Sequence, residues 1–338
     1  IFIWFPLNKS YAFFRIMCAS VFLNSLLKLI YSNPRPYWTD STLFKVCEGG
    51  YGNPSGHSMG SMANWLALAH TFTDYEYFRS ENVILNYVIY LMTILLILSI
   101  CVSRVVLAAH GINQVVYGGL LGLGLYVLLY HAFKIDNLKG KEFFSLFRRT
   151  GSVIAHSVGY LAILSTIVIL YVFIERDNSQ YEAILNNYCP NIPIYRRFQN
   201  EGMTGSMLIV AFMGAYYSMV FLANYVETAF KDHEDDINEW HLGHTLSQVL
   251  RILASVALCI IPLVIMKLVS GENSMWIIYI FKLGLPSLLL GFLVFGINIW
   301  ICLKLKIGNP MIYKLPGEEF KQVKIGRASC RERVSSPV

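Results

Sequence analysis

The sequence predicts an all-α, polytopic membrane bundle, and three observations carry that reading. The chain is 55% hydrophobic and only 14% charged over 338 residues, with a mean hydropathy of +0.51, which is too apolar and too charge-poor for a water-soluble domain. Its apolar residues gather into runs of about 20, the length that crosses a hydrocarbon core of about 30 Å as a helix. Basic residues concentrate in alternate loops, as they do on the cytosolic face of a bilayer.

Eight spans are expected, over residues 11–31, 59–72, 83–102, 112–133, 152–174, 203–226, 249–269 and 275–303. The second reaches spanning length only if Gly56 and His57 open its first turn, with Ser55 ahead of them as a good N-cap. The eighth carries Lys282 and Pro286, which predicts a kink or a later start. The chain begins at Ile1 inside an apolar string, so residues 1–6 read as the tail of a ninth span, upstream. Residues 324–338, which open with Lys324-Ile325-Gly326-Arg327, read as a non-native tail. The expected division is therefore a core at 1–133 that holds the polar motifs, further helices of the same bundle at 134–323, and that tail.

Connecting the spans in zigzag puts loops 32–55, 103–110, 175–202 and 270–274 on one side. The opposite loops carry Lys9, Arg79, Lys134, Lys139, Lys141, Arg148, Arg149, Lys231, Lys304, Lys306, Lys314 and Lys321. The basic side is then cytosolic, and the other faces a lumen or the exterior. Every polar motif falls on that other side: Lys28, Arg35-Pro36, Pro54-Ser55-Gly56-His57, Ser103-Arg104 and His110. Cations at the edge of a bilayer cost several kcal/mol unless paired, hydrated or snorkelling. Lys28 taken alone is a snorkelling side chain; the three cations together call for a shared anion. Ser55 and the amide of Gly56, at a helix N-terminus, suit a phosphate in particular.

Other features take plainer readings. The basic residues are not interleaved with stacking aromatics on a polar segment, so nucleic acid is excluded as a partner. Metal is not expected, because the motif side has no acidic and histidine cluster at ligand spacing. The acidic run 232–239 reads as a solvated loop on the cytosolic side. His70, His131 and His156 read as packed or interfacial, and Gly118, Gly119, Gly122 and Gly124 as permitting close helix packing. Of seven cysteines, Cys47 and Cys189 share the motif side. They can pair in an oxidising lumen or remain thiols, since sequence does not fix connectivity.

The pattern Lys28-x6-Arg35-Pro36, then Pro54-Ser55-Gly56-His57, then Ser103-Arg104-x5-His110 resembles the three-part signature of the type 2 phosphatidic acid phosphatase superfamily. Arg35-Pro36-Tyr37-Trp38, the stretch from Ser103 through Val105-Val106-Leu107-Ala108-Ala109 to His110, and Gln114-Val115-Val116 are similar to its glucose-6-phosphatase branch. The resemblance implies a phosphoric monoester hydrolase without cofactor or metal. In it, His110 is the nucleophile that forms a phosphohistidine and His57 the general acid and base. Lys28, Arg35, Ser55, Gly56 and Arg104 bind phosphate, with Ser103 and Gln114 in support. Many superfamily members carry Asp four residues after the nucleophile; here Gln114 stands there, and its amide oxygen is expected to accept the ring N–H.

The branch further implies a sugar phosphate such as glucose 6-phosphate, a lumenal site in the endoplasmic reticulum and a separate substrate transporter. The breadth of the superfamily leaves a lipid phosphate, phosphatidate or a sphingoid phosphate, as the alternative. A non-catalytic transporter or scaffold that keeps an anion pocket is a reading of another class.

Overall fold

The computed structural model describes residues 7–43, 46–74, 83–133, 140–174, 176–232, 244–270 and 273–305. The expected ninth span at 1–6, the tail at 324–338 and the acidic stretch from His233 to Glu239 lie outside the described residues. Among those described the regular structure is all helical, without a strand. The main helices are α1 (Leu7–Tyr31), α2 (Gly56–Asp74), α3 (Val83–Val106), α4 (Ile112–Tyr126), α5 (Gly140–Arg148), α6 (Thr150–Phe173), α7 (Ser179–Tyr188), α8 (Phe198–Gly205), α9 (Leu208–Asp232) and α10 (His244–Leu268). A last helical stretch, α11 (Met275–Cys302), completes the bundle.

Seven helical stretches among the described residues are long and apolar enough to cross a membrane, α2 not among them. This helix has spanning length but carries Ser58, Ser61, Asn64, His70, Thr71 and Thr73. It tolerates them because it is wrapped by α1, α3 and α4. Ser58 and Thr71 are fully buried, and Thr71 Oγ1 donates to the Ala67 carbonyl and meets the Tyr130 hydroxyl, each at 2.8 Å. A helix inside a bundle needs partners for its polar groups more than it needs hydropathy. Lipid-facing α3 shows the opposite balance, with only 6% of its apolar window buried. This is an integral membrane protein of the all-α, polytopic class.

Small residues set how closely α2 and α4 approach. A Cβ on Gly118 would lie 2.5 Å from the Ser55 carbonyl oxygen, and one on Gly122 would lie 2.3 Å from that of Met59. These two positions bring the start of α2 against the helix that follows His110. Gly124 has open space around it, so the glycine run divides into contact and non-contact positions.

The second half departs from the expected loops in two places. The basic stretch between the fourth and fifth spans contains α5, whose Phe143, Phe144 and Phe147 are buried with Tyr11, Phe14, Phe212 and Phe295 in the main apolar core. Spaced i, i+1 and i+4, these three share one helical face, which the count of basic residues conceals. The expected loop 175–202 contains α7 and the start of α8. In α11, Lys282 Nζ donates to the Met266 carbonyl at 2.9 Å, and also to that of Val269, so the cation caps the C-terminal end of α10. A π turn over Ile278–Gly284 precedes Pro286 and accommodates the donor that proline lacks.

Candidate active site

The motif residues meet where α1, α2, α3 and α4 end on one side of the bundle. α1 stops at Tyr31 because Ser32 takes a left-handed φ of 48° and Asn33-Pro34 follows. Arg35 then stands ahead of the short helix Pro36–Thr39 in extended conformation, with Pro36 in its first turn. Ser55 caps α2: its Oγ accepts from the Ser58 hydroxyl at 3.0 Å and the Ser58 amide at 3.4 Å. α3 closes through Ala108, at φ 52°. Beyond it the Ala109 and His110 amides donate back to the Arg104 carbonyl at 3.1 and 3.3 Å. That turn places His110 beside Arg104.

His110 is 2% exposed, and its tautomer follows from its partners. Nδ1 lies 2.7 Å from the Gly52 carbonyl, which can only accept, so Nδ1 carries the proton. Nε2 lies 3.2 Å from Arg35 Nη1, which can only donate, so Nε2 presents a lone pair. Burial first, then the charges of Arg35 and Lys28, push the His110 pKa down to about 2 against the raising effect of Gly52. The ring is neutral at physiological pH.

Arg35 is 1% exposed. Its Nε donates to the Gly50 carbonyl at 2.6 Å and its Nη1 to the Ala109 carbonyl at 2.9 Å. The same Nη1 forms an ion pair with Glu48 Oε2. The other oxygen of that carboxylate lies 3.4 Å from Arg104 Nη1, and Oε2 lies 3.9 Å from His110 Nε2. Glu48 thus bridges two arginines beside His110 Nε2. Lys28, in the last turn of α1, pairs with Glu201 Oε1 of α8 at 2.9 Å. Arg104 Nε is buried and has no hydrogen-bond partner among the described residues.

A polar cavity of about 380 Å³ opens over this cluster, lined by Glu48, His57, Asn191, Arg196 and Glu201 among others. His57 also lines a second, mainly apolar groove of about 540 Å³ that runs along Phe13, Met17, Trp65, Leu68 and Ile100. The wall of the polar cavity is fixed from the second half of the chain. Cys47 and Cys189 form a disulfide, which settles the pairing that the sequence left open. The Phe198 amide donates to the Gly49 carbonyl at 2.7 Å, and Tyr37, Trp38, Tyr51, Leu185 and Phe198 pack together around it. Among the described residues no cluster of histidine, cysteine and acidic side chains could hold a metal ion.

The structure therefore brings Arg35, Arg104 and His110 together around one carboxylate, with His57 and the partner of Lys28 on the same cavity. Ser55 is turned into its own cap, and Ser103 Oγ bonds back to the Ile100 carbonyl at 2.7 Å. Gln114 requires a correction: it makes no bond to the His110 ring. Its Nε2 donates to the Pro34 carbonyl at 3.0 Å and its Oε1 accepts from the Gly111 amide at 3.2 Å, so it ties the Arg35 loop to the start of α4. The ring N–H goes to Gly52, because a backbone carbonyl already stands where the side chain was expected to reach. Gly52, Glu48 and Glu201 were missed by motif reading. The two acids had one signal, as carboxylates on the side that holds all the motif cations.

The PAP2 superfamily profile matches residues 11–137, the region that supplies both histidines and all three cations. That stretch is similar to the PAP2 superfamily, and the curated relatives that the chain matches are glucose-6-phosphatases. The chain is 29% identical over 184 residues to glucose-6-phosphatase catalytic subunit 1 of Bos taurus, covering 48% of this chain and 50% of that protein. It is 31% identical over 148 residues to glucose-6-phosphatase 2 of Homo sapiens, covering 36% and 42%. The mouse glucose-6-phosphatase 2 is 30% identical over 143 residues, covering 36% and 40%. The chain spans about half the length of the curated relatives it matches. No solved structure matches it.

Proposed function

We propose that this protein hydrolyses a phosphomonoester through a phosphohistidine on His110, with a sugar phosphate of the glucose 6-phosphate kind as substrate. The observation that carries the reading is the His110 tautomer, with Nδ1–H held by Gly52 and Nε2 unprotonated, 3.2 Å from Arg35 Nη1 and 3.9 Å from the carboxylate that stands between Arg35 and Arg104. A phosphoryl group in that position would share its equatorial oxygens among Arg35, Arg104 and Lys28. The lone pair attacks phosphorus as the bond to the leaving alkoxide breaks, and His57 gives that alkoxide its proton. A water then attacks the phosphohistidine, His57 takes its proton, and the P–N bond breaks to release phosphate. Gly56 contributes its amide at the N-terminus of α2, with Ser55 behind it as the cap.

The polar cavity beside His57 supports a sugar as the leaving group, since its volume and its carboxylates suit hydroxyl groups. The names of the relatives point the same way. The apolar groove that also ends at His57 favours a second reading, a lipid phosphate such as phosphatidate or a sphingoid phosphate whose tail lies along α2. The disulfide supports an oxidising compartment, and with the basic opposite face it supports a lumenal site in the endoplasmic reticulum. A sugar phosphate would then need a separate transporter to reach it. The test is phosphate release by purified protein from a panel of sugar and lipid phosphates. Turnover of glucose 6-phosphate well above the lipid phosphates is the expected result. The reverse order selects the second reading, and release from neither would return the protein to the transporter or scaffold class.

A further inference from the structure

The phosphatase reading leaves Glu48 without a role, although its carboxylate stands where the substrate's phosphate would sit. Its backbone is anchored on every side. The Glu48 amide donates to the Tyr37 hydroxyl at 3.0 Å, Gly49 is held by the Phe198 amide at 2.7 Å, and Cys47 is bonded to Cys189. Only the side chain is left to move, and it is 24% exposed to the cavity. An entering phosphate and this carboxylate compete for the same guanidinium donors, because neither arginine can serve two anions in one place. Displacement needs a destination. Arg196 lines the same cavity, is exposed, and makes no ion pair among the described residues.

Resting on the phosphatase reading, we infer that Glu48 is a displaceable internal anion. It neutralises Arg35 and Arg104 until a phosphoryl group takes its place, and then its carboxylate turns toward Arg196. The device gives a buried charge cluster a partner at all times, which spares the cost of uncompensated charge. It also sets a threshold for selectivity. A dianionic phosphate with three oxygens outcompetes one carboxylate, whereas a monocarboxylate or other weak anion does not.

The experiment measures binding of inorganic phosphate to the purified full chain by isothermal titration, independently of turnover. Glu48→Gln keeps the shape and removes the charge, and should tighten phosphate binding by roughly tenfold, the size of one charge-assisted contact. Arg196→Ala removes the destination and should weaken binding severalfold, but should have no effect in the Glu48→Gln background. The inference is overturned if Glu48→Gln binds phosphate no more tightly than the wild type, or if the Arg196 effect persists undiminished beside it. Should Glu48→Gln not fold, Arg196→Ala decides, and unchanged affinity there overturns the inference. Equal affinities with normal hydrolysis would sink this inference and spare the phosphatase. Absence of both phosphate binding and hydrolysis in the wild type would overturn the two together.

Discussion

The half of the chain before residue 133 and the half after residue 140 contribute to the same site in different ways. The first supplies groups that would touch a phosphate: Lys28, Arg35, Arg104, His57 and His110. The second supplies what holds and covers them: Glu201 on Lys28, Cys189 on Cys47, the Phe198 amide on Gly49, and Arg196 on the cavity wall. The difference bears on how such a site is specified. Groups that perform chemistry must be of particular types at particular spacings. Groups that position them need only present a carbonyl, an acid or an apolar face from any part of the fold.

Substitutions in the two halves should therefore fail in different ways. Among substitutions that keep both histidines, the largest effect is expected from Arg35→Lys. The guanidinium meets Gly50, Ala109, His110 and Glu48 at once, and an ammonium cannot reproduce that fork, so kcat should fall roughly 10²- to 10³-fold. Near-normal kcat in Arg35→Lys would show that the buried arginine is structural and would dissolve the contrast between the halves. Cys189→Ser should behave oppositely. Loss of the disulfide should cost about 2–4 kcal/mol of stability and leave kcat at saturating substrate largely intact, read by thermal melting in detergent beside steady-state kinetics. A large fall in kcat without a fall in melting temperature would mean that the second half reaches into the chemistry.

A pH measurement sharpens the same contrast. His110 has a folded pKa far below its unfolded value, so it binds a proton only after unfolding. Its contribution to stability is fully present above the unfolded value near 6.5 and fades as pH falls below it. This should amount to about 2 kcal/mol by pH 5. Melting of the wild type should drop over that interval, and His110→Gln, which removes the titrating ring, should drop less. The smallest effect is expected at Gln114. Gln114→Asp cannot reach and donate to Pro34 as the amide does, and the ring it would assist is already served by Gly52. Activity should fall roughly fivefold, the value of about one hydrogen bond. A gain in activity would show that the residue acts on the ring after all.

The contrast between the halves also explains what was legible in the sequence. Apolar runs located the spans, and the sorting of Lys28, Arg35, His57, Arg104 and His110 onto one membrane face found the cluster. α2 fell below spanning hydropathy because it is buried among other helices, where satisfied polar residues are tolerated. The carbonyls of Gly50, Gly52 and Ala109 could not be read at all, since every residue carries one and only the fold decides which points inward. Gln114 was legible as a supporting residue but not in its partner. Glu48 and Glu201 were hidden because a lone acid in a loop looks solvated until the cations around it are placed. The aromatic face of α5 was masked by the lysines and arginines that flank it.

The central claim is that His110 Nε2 is the nucleophile, and the most direct measurement is alkaline trapping of the phosphoenzyme. Purified protein would be mixed with ³²P-labelled glucose 6-phosphate, quenched in alkali, digested, and the labelled peptide identified by mass spectrometry. The account predicts an alkali-stable, acid-labile phosphate on His110, absent from His110→Ala. It also predicts an adduct that outlives the wild type's in His57→Ala when nitrophenyl phosphate is the donor, because that leaving group needs little protonation. Label on a residue other than His110, or near-normal turnover by a folded His110→Ala variant, would contradict it.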